Sequence, residues 1–183
     1  MCIRDSITGG GILWSDAADE LREFVDKVEI PFYTTPQGRG VIPEDHPLSY
    51  MTVRSAAFRE ADLIMILGTR MNYIIGHAAP PRFNKDATII RIDIDEDEIS
   101  TSPRKIDIGI VGDAKAVLSQ INSRLDGAVN KDSFLEWRNR LSDEEASKRS
   151  RPGDNSVSNA VPIHPLRLCE EVKNFMDRDA VLV

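Results

Sequence analysis

The sequence predicts an α/β fold, a doubly wound parallel sheet of the Rossmann-like kind. Strand-like apolar segments alternate with helix-like segments through the first 125 residues, which is typical of such sheets. The segment 63–67, LIMIL, is apolar throughout, as expected for a strand buried on both faces. Three strand-like segments also run directly into polar turns: DLIMILG before Thr69–Arg70, TIIRIDID before Glu96–Asp97, and IDIGIV before Gly112–Asp113.

The first helix is predicted after a glycine turn at Gly9–Gly11, between a strand and that helix. Ser15 is the expected N-cap, because apolar residues recur at helical spacing from Ala17 to Val28. Ile30–Thr34 is predicted as a short strand. The stretch from Thr35 to Tyr50 is rich in Pro, Gly, Asp and His without periodicity, and we expect a long functional or covering loop there.

A helix over Ser55–Ala61 and a buried strand over Asp62–Leu67 follow. In the next strand, the polar residues Arg91, Asp93 and Asp95 alternate with isoleucines. This period of two predicts one less covered face, and residues 107–111 alternate similarly. We therefore expect both strands toward one side of the sheet. Asp113 then caps a helix with one apolar stripe, formed by Val117, Leu118, Ile121 and Leu125.

The domain organisation predicted from the pattern has four parts. Residues 1–6, MCIRDS, resemble a translated sequencing adapter and are expected to be non-native, which leaves only Ile7–Thr8 of a first strand. Residues 7–127 form the main domain. Residues 128–162 hold a helix, opened by a capping box of Ser133 and Glu136, and a polar linker from Lys148. Residues 163–183 begin a second α/β domain, with Pro165 as the first helical residue and a strand cut short at Val183.

Composition narrows the class of protein. The net charge of −7 argues against nucleic-acid binding, which needs clustered Lys and Arg. No apolar run approaches the roughly 18–20 residues of a membrane span. Two cysteines, Cys2 and Cys169, give neither a disulfide framework nor a metal spacing. We expect a cytoplasmic protein that takes a small-molecule substrate, without nucleic-acid or membrane partners.

The carboxyl ends of parallel strands share one edge, which is where open α/β sheets bind ligands. We expect Gly68, Arg70, Asp93, Gly112 and Asp113 to meet there and to contact a ligand. A glycine lets a ligand approach the backbone, an arginine can clamp a phosphate, and a carboxylate suits a ribose hydroxyl. Structural alternatives to ligand binding remain open. Arg70 could pair with a nearby carboxylate, such as Asp93 or Glu96, and Asp95 and Asp113 could cap helices.

Other motifs carry less. The turn at Gly9–Gly11 lacks the third glycine of the dinucleotide fingerprint, because Trp14 stands in its place, so a tight structural turn is the favoured interpretation. The three histidines, His46, His77 and His164, have no spacing typical of a zinc site. The residues indicate a binding site and no catalytic or metal-binding residues.

Several segments resemble the central domain of thiamine-diphosphate-dependent enzymes, over residues 7–125. These are GGGILWSDAADELREF, IPFYTTPQGRGVIPEDHP, ADLIMILGTRMNY, PPRF, IIRIDIDEDEI and VGDA. GTRMNY and PPRF are similar to the 2-hydroxyacyl-CoA lyase and oxalyl-CoA decarboxylase branch, whereas acetolactate synthases usually carry a more acidic turn after that arginine. Residues 163–183 resemble the start of the cofactor-binding domain of the same family.

The resemblance implies a homo-oligomeric parent enzyme, a dimer or tetramer, that uses thiamine diphosphate and Mg²⁺ to break a C–C bond in 2-hydroxyacyl or 2-oxoacyl compounds, including CoA thioesters. Its cofactor ligands would lie outside this chain, so we expect the chain to be inactive alone. The central domain would bind ADP or FAD through Gly68, Arg70, Asp93, Gly112 and Asp113. The alternatives are an acetolactate synthase-like carboligase with FAD, or a stand-alone nucleotide-binding module.

Overall fold

The structure is a computed structural model that describes residues 3–125, 127–149 and 155–180. The chain divides into two compact units, Met1–Glu145 and Ala146–Val183. The first unit contains the sheet and the helices packed on it. Among the described residues, no helix has both the length and the apolar character that crossing a membrane would require.

The first unit is built on five parallel strands in the order β2-β1-β3-β4-β5, which confirms the predicted fold class. The strands are β1 (Arg4–Thr8), β2 (Phe32–Thr34), β3 (Leu63–Leu67), β4 (Thr88–Asp93) and β5 (Ile108–Val111). The chain builds outward in one direction from β1 to β2 and in the other from β3 to β5. The order therefore reverses between β1 and β3, the switch point at which such sheets form a ligand crevice.

Helices cover both faces of this sheet. They are α1 (Gly10–Trp14), α2 (Ala18–Val28), α3 (Arg54–Glu60), α4 (Glu96–Ser100), α5 (Ala114–Leu125) and α6 (Leu135–Arg149). One apolar core joins α1, α2 and α5 to the strands through buried residues such as Leu21, Leu67 and Leu118. The other core joins α3 and α6 to the opposite face, with Phe58 and Trp137 buried in it.

Short 3₁₀ turns complete the element list, at Pro36–Gly38, Tyr73–Ala78, Lys131–Phe134 and Asn155–Val157. In the second unit, α7 (Pro165–Phe175) begins at the predicted proline, and His164 Nδ1 accepts a hydrogen bond from the Leu166 amide. The predicted linker overlaps the end of α6 and residues 150–154, which lie outside the described residues, as does the end of the predicted last strand at 181–183.

Two predicted helix caps are wrong. Ser15 ends α1 instead of opening α2, because its Oγ donates to the Gly11 carbonyl at 2.7 Å, and α2 is preceded by Ala17. Ser133 lies inside a 3₁₀ turn that begins earlier. Asn130 opens that turn by accepting a hydrogen bond from the Asp132 amide. In both places a short helical element precedes the predicted helix, and the spacing of apolar residues does not reveal it.

Two strand predictions also need correction. Residues 4–6 complete β1, so the strand extends beyond Ile7–Thr8. The polar face of β4 is covered rather than open, since Arg91 is fully buried there. The placement of β4 and β5 at one side of the sheet is confirmed.

Candidate functional site

An open cleft of about 720 Å³ lies at the carboxyl edge of the sheet. Its walls come from the turns that follow all five strands, and the switch point between β1 and β3 lies within it. The volume falls in the range of roughly 300–1,000 Å³ that is typical of small-molecule sites. All five residues predicted for the site line this cleft: Gly68, Arg70, Asp93, Gly112 and Asp113.

The glycine turn after β1 packs backbone against backbone. The amide of Gly9 donates to the Leu67 carbonyl and that of Gly11 to the Gly68 carbonyl, at 3.0 and 2.8 Å. A Cβ atom at Gly11 would lie 2.7 Å from Cα of Gly68. These two amides already donate to backbone carbonyls, so the turn functions as a structural joint between β1 and β3. This agrees with the tight structural turn that the sequence favours.

Gly68 is the other half of that joint. Its φ angle is +55°, a left-handed conformation that favours glycine, and a Cβ atom there would lie 2.8 Å from Cα of Gly11. Its amide donates to the Ile92 carbonyl at 2.9 Å, which ties the end of β3 to β4. Gly68 therefore sets the floor of the cleft by close backbone packing.

Arg70 lies two residues after Gly68 and lines the cleft. Its side chain is 78% exposed, and its Nε lies 3.3 Å from Oε1 of Glu98. The partner of Arg70 is thus Glu98 of α4, in place of the two carboxylates named as alternatives, Asp93 and Glu96. Since exposed ion pairs are worth about 0–1 kcal/mol, the guanidinium is available to a ligand at little cost.

Arg91, which the sequence did not single out for the site, organises the rim from below. Its Nη2 lies 2.6 Å from Oε2 of Glu98, 3.4 Å from Oδ2 of Asp93 and 3.3 Å from the Thr69 carbonyl. Its Nη1 also donates to the backbone carbonyl of Glu98. One buried guanidinium therefore links the turns after β3 and β4. The sequence signal that could have indicated this role is a single arginine within an isoleucine-rich strand.

The aspartates at the rim have structural partners. Oδ1 of Asp93 accepts from the Asp95 amide, and Asp95 caps α4 through the Asp97 amide, as the structural alternative for Asp95 predicts. Asp113 caps α5 by accepting from the Ala116 amide at 3.0 Å. The Gly112 amide donates to the Asp93 carbonyl. Each carboxylate keeps lone pairs for a second donor, such as a hydroxyl group.

The cleft is acidic apart from one arginine. Its charged lining residues are Asp93, Asp95, Glu98 and Asp113 against Arg70. Three apolar side chains, Trp14, Ile74 and Ile94, are 89%, 41% and 72% exposed beside them. An anionic group is thus favoured only near Arg70, while hydroxyl groups and a flat apolar ring match the remaining walls.

Within the described residues, no cluster of His, Cys, Asp and Glu is arranged to hold a metal ion. The described residues therefore do not fit a Mg²⁺–diphosphate group, and no chemistry of that cofactor is assigned to them. The acidic cleft with its single arginine favours a hydroxylated ligand that carries its anionic group at one end, beside Arg70.

The fold is that of a doubly wound α/β domain with a cleft at the switch point of its parallel sheet. Sequence comparison specifies the family. The model of the thiamine pyrophosphate enzyme central domain matches residues 7–121. The chain therefore belongs to the thiamine pyrophosphate enzyme family, which confirms the resemblance.

The curated relatives are enzymes of this family. A 2-hydroxyacyl-CoA lyase of Oryza sativa subsp. japonica is 40% identical over 119 residues, which cover 65% of this chain and 20% of the relative. The 2-hydroxyacyl-CoA lyase 1 of Mus musculus is 31% identical over 180 residues, covering 97% of this chain and 30% of the relative. A probable acetolactate synthase large subunit of Methanococcus aeolicus is 32% identical, with 93% and 30% covered. The chain thus spans less than a third of the length of these relatives.

A solved structure shows the same fold. It is described as an X-ray structure of a putative thiamin diphosphate-dependent enzyme isolated from Mycobacterium smegmatis. The match has a TM-score of 0.55 and 20% sequence identity, and it covers 66% of this chain and 24% of that chain. This likeness supports the α/β architecture of the first unit.

Proposed function

We propose that this chain supplies the central domain of a thiamine-diphosphate-dependent lyase or decarboxylase, and that the cleft binds an adenine nucleotide, with ADP as the first candidate. The convergence of Gly68, Arg70, Asp93, Gly112 and Asp113 on one cleft carries the second part of the proposal. The nucleotide would have a structural or regulatory role. The bond-breaking chemistry would belong to the thiazolium cofactor, an electron sink held by residues outside this chain.

The charges of the cleft support a nucleotide with few phosphates. Arg70 is the one basic side chain among the described lining residues, so the phosphates would lie at its end. Oxygen atoms of Asp93 and Asp113 would accept from ribose hydroxyl groups. Trp14, Ile74 and Ile94 offer apolar contact to a base. A long polyphosphate would meet the acidic wall and is disfavoured.

The parent enzyme would act on 2-hydroxyacyl or 2-oxoacyl compounds, including CoA thioesters. The identity to 2-hydroxyacyl-CoA lyases, 40% and 31%, supports this branch. The synthase relative keeps a second candidate open, an acetolactate synthase-like carboligase with FAD in the same cleft. A cytoplasmic location, a homo-oligomeric parent and inactivity of the isolated chain remain predictions.

Calorimetric titration of the purified chain with ADP, FAD and NAD tests the proposal. We expect ADP to bind, and Arg70→Ala to weaken it by about tenfold, the effect of losing one charge-assisted hydrogen bond. Arg59→Ala is the matched control, because Arg59 is an exposed arginine on α3 that does not line the cleft.

Each ligand decides between candidates. Tighter binding of FAD than of ADP would favour the carboligase. Tighter binding of NAD would favour a stand-alone module, against which the occupied amides of the glycine turn already weigh. Equal ADP affinity in the Arg70 and Arg59 variants would remove Arg70 from the site.

A further inference from the structure

We propose that Glu98 is a positioning residue for phosphate binding: it holds the guanidinium of Arg70 by its Nε side and leaves the Nη groups directed to a ligand. This inference rests on the proposed function, because it assigns how the cleft takes up a phosphate. Glu98 itself is not expected to touch the ligand.

The contact between the two side chains is one-sided. Nε of Arg70 lies 3.3 Å from Oε1 of Glu98, and Arg70 makes no other ion pair or hydrogen bond within the described residues. A guanidinium binds phosphate best through two parallel N–H groups. With the Nε side held, the two Nη groups remain free for this geometry.

Glu98 can hold Arg70 because it is itself held firmly. Its second carboxylate oxygen, Oε2, lies 2.6 Å from Nη2 of Arg91, whose side chain is completely buried. The Glu98 backbone carbonyl also accepts from Nη1 of the same arginine. A chain of alternating charges therefore runs from buried Arg91 through Glu98 to exposed Arg70.

This chain of contacts has an energetic consequence for binding. A free arginine side chain has many rotamers, and a phosphate complex must suppress part of this freedom. Glu98 restricts Arg70 before the ligand arrives, so less is lost on binding. We expect the effect to concern the phosphate, because both side-chain oxygens of Glu98 are engaged by arginines, Oε1 by Arg70 and Oε2 by Arg91.

The test compares ADP with adenosine, which has the same base and ribose but no phosphate. We expect Glu98→Gln to weaken ADP binding by about twofold to fivefold, within what an exposed ion pair contributes, and to leave adenosine binding unchanged. Asp95→Asn is the matched control, since Asp95 lines the same cleft and an asparagine preserves its capping role. Both variants remove one negative charge from the cleft, and this change by itself would strengthen the binding of an anion. Weaker ADP binding in Glu98→Gln, but not in Asp95→Asn, therefore cannot result from the change in net charge.

A double-mutant cycle separates positioning from general support of the fold. In the Arg70→Ala background, we expect Glu98→Gln to have no further effect on ADP affinity. Equal losses for ADP and adenosine, or a further loss in the Arg70→Ala background, would show that Glu98 acts only on the fold and would overturn the inference.

A ligand-free measurement keeps the two proposals distinguishable. The Nε–H bond of Arg70, followed by ¹⁵N relaxation of the arginine side chains, should be more rigid in the unmodified chain and in Asp95→Asn than in Glu98→Gln. If ADP does not bind at all while this pattern holds, the proposed function fails and the holding contact stands. An Arg70 Nε–H bond that is equally mobile in all three proteins overturns the positioning role.

Discussion

Two ionisable side chains, Arg91 in β4 and Asp5 in β1, are both completely buried in the same sheet, at opposite ends of it. Arg91 lies near the carboxyl edge and its Nη groups contact two carboxylates and two carbonyl oxygens, although its Nε has no partner. Asp5 lies near the amino-terminal edge and accepts one hydrogen bond, from Trp137 Nε1 at 3.3 Å. The cost of burying a charge is therefore offset by polar partners at the Arg91 end and is largely uncompensated at the Asp5 end.

At the Asp5 end, the second oxygen has no partner, and neither has the hydroxyl group of Tyr33. Burial raises the pKa of Asp5 from 3.8 to about 7; the hydrogen bond from Trp137 and the nearby hydroxyl group of Tyr33 oppose this rise, and the charge of Asp62 adds to it. Burial likewise raises the pKa of Tyr33. This end of the sheet holds a carboxyl group that favours its neutral form.

The contrast between Arg91 and Asp5 shows at which edge of the sheet a buried polar group organises the structure. At the carboxyl edge it joins loops that form a cleft, whereas at the amino edge it only costs free energy. That residues 1–6 are non-native remains a prediction.

The largest effect is expected from the titration of Asp5. Its folded-state pKa is raised, so the unfolded chain ionises first and the free energy of unfolding falls as pH rises from about 4 to about 7. The shift from 3.8 to about 7 corresponds to about 4 kcal/mol. Urea unfolding across this pH window measures it. In Asp5→Asn, which cannot ionise, this fall should be absent, and an identical pH profile in both proteins would refute the assignment.

Removal of the buried cation should come next. We expect Arg91→Met to lower the free energy of unfolding by about 3 kcal/mol, because it leaves the partly buried carboxylates of Glu98 and Asp93 without their cation. Arg124→Met, at an exposed position at the end of α5, should change it by less than about 0.5 kcal/mol. If the two variants were equally stable, Arg91 would not organise the cleft rim.

A smaller effect concerns the glycine joint under the cleft. Gly68 and Gly40 both have positive φ angles, +55° and +83°, but only a Cβ atom at Gly68 would meet neighbouring backbone. Gly68→Ala should therefore be less stable than Gly40→Ala by about 1–3 kcal/mol, the usual cost of overpacking. Thermal unfolding of the two variants measures the difference. Similar losses would mean that the conformational cost alone matters and that the joint is loose.

Much of the fold was predictable because local pattern and burial agree. Alternation of strand-like and helix-like segments gave the parallel sheet, and polar turns after three strands placed Arg70 and Asp113 on one cleft. The pairing of Arg70 with Glu98 was not predictable, since it depends on side-chain reach from α4. Arg91 was assigned to an open face because alternation does not reveal that a charged residue is buried with partners.

The measurement that tests the cleft most directly is a titration of the ¹⁵N-labelled chain with ADP, followed by amide chemical shifts. We expect the signals that move to be those of Gly68, Arg70, Asp93, Gly112 and Asp113, while those of Asp5 and its neighbours at the other end of β1 stay in place. Unchanged spectra at millimolar ADP, or shifts gathered around Asp5 and Trp137, would contradict a nucleotide site at the carboxyl edge of the sheet.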